Sequence, residues 1–211
     1  MAVGIESQVV NVRSTPAIGL VLLSAVGLTS PGLPSAEKPV FATASDVTGL
    51  MRALGRIGPA GGTITLRPGT YRLTQPLRIR RNHVNLKGSG WNTVLQRVGE
   101  GDAIVLESVS FCTVRDLLIN GDPSAKKGSG IVFRGQCSSD MVDFCRVSSF
   151  ADCGVLFEGD PKLPQSSNTV SRCHFIGNGG DQLRSVANND FYIVQNQFGA
   201  HQRTGERAPR S

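Results

Sequence analysis

The second half of the chain repeats a six-residue pattern at nearly regular intervals. Each copy begins and ends with an apolar residue, and its fourth position holds cysteine, asparagine or leucine. The copies are 142–147 (VDFCRV), 170–175 (VSRCHF), 193–198 (IVQNQF) and, more weakly, 114–119 (VRDLLI). Successive copies are 28, 28 and 23 residues apart. A strand-rich repeat of this length predicts a solenoid of stacked coils, in which a residue's place in the repeat determines the face it occupies.

The composition agrees with short strands that are separated by tight turns, because the chain holds 25 glycines and only 6% aromatic residues. Its 22 lysines and arginines exceed its 16 aspartates and glutamates. Such an excess suits a polyanionic partner. Several of the arginines fall in 201–211, however, which we interpret as a basic polar tail, so net charge is a weak indicator of function.

The five cysteines, at positions 112, 137, 145, 153 and 173, show neither a CxxC motif nor the spacing of a metal site. We interpret them as small buried apolar side chains. A repeat fold already has a long core, so a disulfide framework is not expected. No metal site is predicted either.

An apolar run at 17–28 has the length of the hydrophobic region of a signal peptide and is too short to span a membrane. We therefore predict that 1–40 holds a signal peptide and a linker, and that the protein is secreted or extracellular. The alternative is a loose N-terminal segment, in which case the protein is cytoplasmic.

The folded domain is predicted at 41–200, and it begins with a helix. Asp46 is a suitable N-cap, and the helix is expected to end near Ile57. Helical spacing places four apolar residues on one face, namely Leu50, Met51, Leu54 and Ile57. A solenoid needs a cover over its open end, which this amphipathic helix supplies.

Two further motifs point to a known family. The stretches 61–73 (GGTITLRPGTYRL) and 84–90 (VNLKGSG), followed by the repeats above, resemble the right-handed parallel β-helix of the pectate lyase superfamily over about 45–200. The resemblance implies an all-β fold, a right-handed parallel β-helix (solenoid) with an N-terminal capping α-helix and three short strands per coil. It also implies that Cys145, Cys173 and Asn196 point inward at a tight turn between the second and third strands, a position that often has a left-handed backbone.

Aligning the first strands of four coils predicts their lateral neighbours. These strands are 103–107, 130–134, 154–158 and 182–186. Parallel in-register stacking places Arg134 between Glu107 and Glu158. A second outward column is predicted to hold Val105, Val132, Leu156 and Arg184.

The resemblance implies that a glycan binds along the outer face of one strand column and its flanking loops. On the matching surface the candidate catalytic residues are Arg134, Glu158 and Arg184. The candidate substrate-binding residues are Glu107, Lys126, Lys127, Asp160 and Asp181. A lyase would use an arginine or lysine as base beside a uronate carboxylate, whereas a glycosidase would use two carboxyl groups flanking the bond.

The motifs do not decide between these mechanisms. Arg134 is expected to lower the pKa of both neighbouring glutamates, which does not suit a general acid, so the group can also be read as a surface charge ladder. Neither the paired aspartates of polygalacturonases nor the calcium-binding aspartates of pectate lyases are evident. No cofactor is therefore predicted, and calcium is left open.

Three hypotheses about function follow. The leading one is a lyase or hydrolase that acts on an acidic polysaccharide. The alternatives are a non-catalytic glycan-binding or adhesion module and a truncated, inactive β-helix fragment. The predicted partner is a polysaccharide, with no nucleic acid and no membrane span, and a further partner could dock at the C-terminal end, where no capping element is evident.

Overall fold

The structure is a computed structural model that describes residues 38–199. The apolar run at 17–28, on which the predicted signal peptide depends, and the predicted tail at 201–211 lie outside the described residues. In chain order the elements are β1 (Val40–Ala44), α1 (Val47–Gly55), β2 (Gly62–Leu66), β3 (Gly69–Leu73), β4 (Leu77–Ile79), β5 (Val84–Lys87), β6 (Thr93–Arg97), β7 (Ile104–Glu107), β8 (Thr113–Arg115), β9 (Leu118–Asn120), β10 (Ile131–Arg134), β11 (Met141–Asp143), β12 (Arg146–Ser148), β13 (Val155–Glu158), β14 (Asn168–Ser171), β15 (His174–Ile176), β16 (Leu183–Val186), β17 (Phe191–Val194) and β18 (Gln197–Gly199).

The strands form three parallel sheets that run along a solenoid of about seven turns, which confirms the predicted fold class. Sheet A has the order β1-β2-β5-β8-β11-β14-β17, sheet B has β3-β6-β9-β12-β15-β18, and sheet C has β4-β7-β10-β13-β16. Each coil passes from sheet A to sheet B to sheet C and then enters the next coil in sheet A.

Helix α1 begins and ends close to the predicted positions and packs on the first coil. The Asp46 carboxylate accepts a hydrogen bond of 2.6 Å from the Gly49 N–H group and so caps the helix. The helix ends at Gly55, with Arg56 as its C-cap, close to the predicted end at Ile57. Leu50 and Ala53 are buried, and α1 contacts β1, β2 and β3, as expected of an N-terminal cap.

The interior of sheet C consists of the predicted apolar columns. Phe133 and Phe157 are fully buried in adjacent coils, and their ring centroids are 4.5 Å apart. The column that was predicted to face outward differs from expectation, because Val105 and Val132 are also fully buried. Only its later members are accessible, since Leu156 is half-buried and Arg184 is exposed. Alternation along the strands predicted that the side chains of Val105 and Val132 point outward, but it did not predict that they are buried.

The tight turn between sheets A and B corrects one detail of the prediction. Cys145 and Cys173 point into the core as expected, but neither has the left-handed backbone. That conformation belongs to the residue before each inward position, namely Asp116, Phe144, Arg172 and Gln195. The inward side chains form a ladder, in which Cys145 N–H donates to Cys173 Sγ at 3.4 Å and Cys173 N–H donates to Asn196 Oδ1 at 2.8 Å.

A second inward ladder, which was not predicted, lies at the start of sheet A strands. Cys112 N–H donates to Asp140 Oδ1 at 2.7 Å, and Asp140 N–H donates to Asn168 Oδ1 at 3.0 Å. Asp140 is only 1% exposed, and its other carboxylate oxygen has no hydrogen-bond partner. Burial raises the pKa of this carboxyl group to about 7.

We expect the thiols of the native protein to resist modification, because all five cysteines are buried and none forms a disulfide. Burial raises the pKa of the Cys112 thiol to about 12 and that of the Cys137 thiol to about 11, so these two groups hold little reactive thiolate at neutral pH. The hydrogen bond with Cys145 lowers the pKa of the Cys173 thiol, but this group is fully buried and closed to a reagent. Titration with a chromogenic disulfide reagent should detect five thiols only after denaturant is added. Rapid modification of the native protein would contradict the predicted structural role.

Candidate functional site

The outer edge of sheet C carries the predicted charge ladder in the predicted register. Glu107, Arg134 and Glu158 end three adjacent strands, and each is the direct lateral neighbour of the next. The 27- and 24-residue spacings of the first strands were sufficient to predict this alignment, because parallel strands pair residue by residue.

The ion pairs within the ladder differ from the prediction. Arg134 Nε donates to Glu158 Oε2 at 2.6 Å, and its terminal nitrogen lies 3.5 Å from Asp102. Glu107 is instead bound by arginines of the preceding coil, Arg78 and Arg80. Arg134 lies between the two glutamates in register, as predicted. The expectation that it lowers the pKa of Glu107 is wrong, because Arg80 and Arg78 do so from the other side.

These ion pairs shift the pKa values of Glu107, Arg134 and Arg184. The hydrogen bond from Arg80 and the charge of Arg78 lower the pKa of Glu107, despite partial desolvation that acts in the opposite sense. The hydrogen bond to Glu158 raises the pKa of Arg134, and the bond to Asp181 raises that of Arg184. A general acid needs a raised carboxyl pKa, and a basic arginine needs a lowered one, so these three groups are poorly suited to proton transfer.

The remaining predicted site residues lie at opposite edges of sheet C. Lys126, Lys127 and Asp181 precede strands β10 and β16, whereas Asp160 follows β13. A four-residue strand is roughly 13 Å long at about 3.3 Å per residue, so the structure does not bring the two groups together. Lys127 pairs with Glu100 at 3.3 Å.

The third predicted catalytic residue, Arg184, is also separated from the ladder. It pairs laterally with Leu156, whereas the neighbour of Glu158 in the same strand is Val186. Its guanidinium donates to Asp181 at 2.7 Å, within its own coil. Arg184 and Glu158 therefore do not form a pair.

A polar cleft of about 500 Å³ begins where the ladder ends. Ser108 directly follows Glu107, and Gln136 lies two residues after Arg134. The lining residues, which come from four successive coils, are Asn82, Ser108, Ser110, Gly135, Gln136, Ser138, Asp160, Leu163, Pro164 and Ser166. The ladder and the cleft thus form one continuous surface at the corner between sheets C and A.

One wall of this cleft is a column of neutral hydrogen-bonding groups. Ser110, Ser138 and Ser166 pair laterally in three coils, and the hydroxyl oxygens of Ser138 and Ser166 are 3.2 Å apart. Asn82 Oδ1 accepts a hydrogen bond of 3.0 Å from Ser110 N–H. The sequence held a signal for this column, because the four residues recur at the 28-residue spacing of the main repeat.

The far wall and the floor of the cleft are held by internal hydrogen bonds. Asp160 Oδ1 accepts from Lys162 N–H at 2.8 Å, and its carbonyl accepts from Leu163 N–H at 2.9 Å, which closes a tight loop. The buried Gln165 amide donates to the carbonyls of Phe133 and Gly135 at 2.8 and 2.9 Å. These bonds preorganise the backbone that surrounds the cleft.

The described part of the chain offers neither a metal site nor a membrane-spanning helix. Within residues 38–199, no three His, Cys, Asp or Glu side chains are grouped as a metal ion would require. Calcium binding thus has no supporting geometry in this region. None of the helices in the same region combines the length and apolar character needed to cross a bilayer.

The last described coil leaves apolar side chains accessible, among them Tyr192, Val194 and Phe198. Phe198 belongs to an interior column, since its ring stacks on the buried Phe175 at 5.4 Å. The predicted docking of a partner at this end stays a prediction.

Fold and site together define a parallel β-helix protein with an ion-paired outer face that leads into a hydroxyl-lined cleft. No family model and no curated protein matches the chain. Among solved structures it is similar to the protein ORF18 of Geobacillus virus E2, with a TM-score of 0.55 and 15% identity over 74% of this chain. The match covers 39% of that protein, so the present chain spans well under half of its length.

A weaker likeness is to an alginate lyase from Paenibacillus sp. str. FPU-7, with a TM-score of 0.43, 11% identity and 78% of each chain covered. The viral protein supports the β-helix fold alone, and the likeness to the lyase is too low to bear on chemistry. A parallel β-solenoid is thus shown, whereas none of these comparisons identifies the pectate lyase superfamily.

Proposed function

We propose that this protein binds an acidic polysaccharide along the edge of sheet C and in the adjoining cleft. The observation that carries the proposal is the continuity of these two surfaces: hydroxyl and amide groups in the cleft match the hydroxyls of a sugar, and the half-exposed Arg134 lies beside them. Arg134 can exchange its bond to Glu158 for a bond to a uronate carboxylate, because a guanidinium binds either carboxylate in the same geometry.

Of the predicted functions, this geometry favours glycan binding over bond cleavage. Cleavage needs a group that exchanges a proton near neutral pH. On this face the pKa of Glu107 is lowered and that of Arg134 is raised, so both groups stay charged. Asp140 titrates near neutral pH, but it is enclosed in the core and cannot reach a bound glycan.

The test is a panel of immobilised polysaccharides, both acidic and neutral, with product formation followed in parallel. We expect retention on pectate or alginate without unsaturated products or new reducing ends, with and without calcium. Product formation would show that the protein is an enzyme and would contradict binding without cleavage. Failure to bind any glycan would overturn the proposal.

Substitution of Arg134 by alanine is expected to weaken binding to an acidic oligosaccharide about tenfold, as loss of one charge-assisted hydrogen bond does. The free energy of unfolding should change by no more than about 1 kcal/mol, because surface ion pairs contribute little. Affinity can be measured by calorimetry and stability by urea denaturation.

Arg115→Ala is the matched control for this measurement. The Arg115 side chain is 39% exposed and contacts two carboxylates, as does Arg134 at 41%, but it lies on sheet A. Equal loss of affinity in both variants would indicate a general effect of net charge and would contradict a binding site on sheet C.

A further inference from the structure

The outer face of sheet B carries an exposed aromatic cluster outside the site described above. Trp91 lies in the loop between β5 and β6, and its ring reaches residues of later coils. It meets His174 edge-on at 4.9 Å and stacks with Phe144 at 6.1 Å between ring centroids. Trp91 is 37% exposed and Phe144 is 45% exposed, so much of the aromatic surface stays accessible to a ligand.

A polar cleft of about 330 Å³ adjoins this cluster. Its hydrogen-bonding groups come from three adjacent coils, and they include Gln96, Asn120 and Ser148. Ser148 Oγ donates to Asn120 Oδ1 at 2.8 Å, and the Gln96 amide donates to the Gly121 carbonyl at 2.9 Å. These hydrogen bonds fix the side chains that line the cleft. Their remaining amide and hydroxyl atoms can bind a ligand.

Arg146 joins the aromatic cluster to the cleft. Its guanidinium carbon lies 5.8 Å from the centre of the Trp91 ring, and the residue also lines the cleft. Within residues 38–199 Arg146 forms no ion pair, and its buried Nε has no hydrogen-bond partner. No carboxylate lines this cleft. An anionic ligand therefore meets an unneutralised cation here, in contrast to the paired arginines of sheet C.

We propose that this surface, formed by Trp91, Phe144, Arg146 and the adjoining cleft, is a second site that binds a carboxylated sugar unit. The apolar face of the pyranose packs on the exposed aromatic rings, which bury a large area at low entropic cost. The carboxylate accepts hydrogen bonds from the Arg146 fork. Ring hydroxyls pair with Asn120 and Ser148. The inference shares a glycan ligand with the proposed function but depends on different residues.

Trp91 is the only tryptophan of the chain, so its fluorescence reports on this surface alone. Titration with tetragalacturonate is expected to change the emission saturably. Arg146→Gln should weaken this binding about tenfold, as loss of a charged hydrogen-bond donor does. The native protein should bind the methyl-esterified tetramer more weakly than tetragalacturonate by a similar factor. Arg134→Ala should leave the emission titration unchanged.

Two controls keep the result interpretable. Arg146→Lys retains the cation without the planar fork and should bind more weakly than the native protein but more tightly than Arg146→Gln. Thermal unfolding of each variant, followed by circular dichroism, identifies any loss of fold. If Arg146→Gln does not fold, the comparison of free and esterified tetramer on the native protein decides the question.

The outcomes distinguish this inference from the proposed function. Retention of the protein on pectate with unchanged Trp91 emission would overturn the second site and leave the site on sheet C standing. A saturable emission change that Arg146→Gln weakens, with retention on pectate lost in Arg146→Gln but unaffected by Arg134→Ala, would support the second site and overturn the first. Equal binding of the free and esterified tetramers, or an emission change caused by oligothymidylate but not by tetragalacturonate, would overturn the uronate assignment.

Discussion

Substitution of Asp140 by asparagine is expected to stabilise the protein by about 4 kcal/mol at pH 8 but by only about 0.6 kcal/mol at pH 4. The carboxylate of Asp140 is buried, and one of its oxygens has no hydrogen-bond partner. Burial raises its pKa from 3.8 to about 7. Each unit of pKa difference corresponds to about 1.4 kcal/mol, so ionisation in the folded state is costly.

The sign of the pH dependence follows from the raised pKa. Below pH 3.8 the carboxyl group is protonated in both states and costs nothing. As the pH rises towards 7, the unfolded chain releases its proton more readily than the folded one, so the native protein loses stability. Asparagine does not ionise. The gain in free energy of unfolding from Asp140→Asn therefore grows between pH 3.8 and about 7 and is constant at higher pH.

The structure shows that asparagine fits this position. Asn168 occupies the same column in the next coil, where its oxygen accepts from Asp140 N–H and its amide donates to the Cys137 carbonyl at 3.2 Å. One coil earlier, the Val109 carbonyl holds the position that corresponds to the Cys137 carbonyl: the first accepts from Ser138 N–H, and the second from Ser166 N–H. An asparagine at position 140 can therefore donate its amide to the Val109 carbonyl.

Urea denaturation of both proteins at pH 4, 6 and 8 measures the effect. The exposed Asp190→Asn serves as control and should change stability by less than about 0.5 kcal/mol at each pH. An equal gain for Asp140→Asn at pH 4 and pH 8 would show that the benefit does not come from ionisation. A loss at pH 8 would contradict the predicted cost of the buried charge.

Replacement of Phe133 by alanine is expected to lower the free energy of unfolding by about 3–5 kcal/mol, the range for a large aromatic side chain in a packed core. Phe133 is fully buried and stacks on Phe157, so its removal leaves a cavity between adjacent coils. In a solenoid each coil is stabilised mainly by its neighbours. The variant should therefore unfold in a broader transition as well as at lower denaturant concentration.

Phe41→Ala provides the comparison, because Phe41 lies in a strand but is 79% exposed. It should change stability by less than about 0.5 kcal/mol. Circular dichroism during urea denaturation measures both variants. Similar losses for Phe133→Ala and Phe41→Ala would contradict the placement of the sheet C interior.

Much of the fold was predictable because a solenoid converts spacing in sequence into contact in space. The alignment of Glu107, Arg134 and Glu158 followed from parallel register alone. The inward placement of Cys145 and Cys173 followed from the repeat together with the resemblance to a known β-helix family. Both conclusions depend on the backbone, whose hydrogen bonds repeat from coil to coil whatever the side chains are.

The candidate sites were less predictable because parallel register gives each charged side chain several possible partners and does not decide which of them it binds. Arg134 is next to Glu107 in register, yet Arg78 and Arg80 bind that glutamate, and Arg134 turns to Glu158 and Asp102. The position of Trp91 beside His174, three coils later, depends on the path of its loop, which the repeat does not predict.

The sequence by itself thus determined the parallel β-helix, the capping helix and the register of the charge ladder. These features arise from short-range periodicity, which local hydrogen bonding and alternate burial impose on every coil. Only the tertiary structure decided which charges pair, where clefts open and which aromatic rings meet. Those features depend on loop paths and on the competition of flexible side chains for partners, and neither is encoded in the period of the repeat.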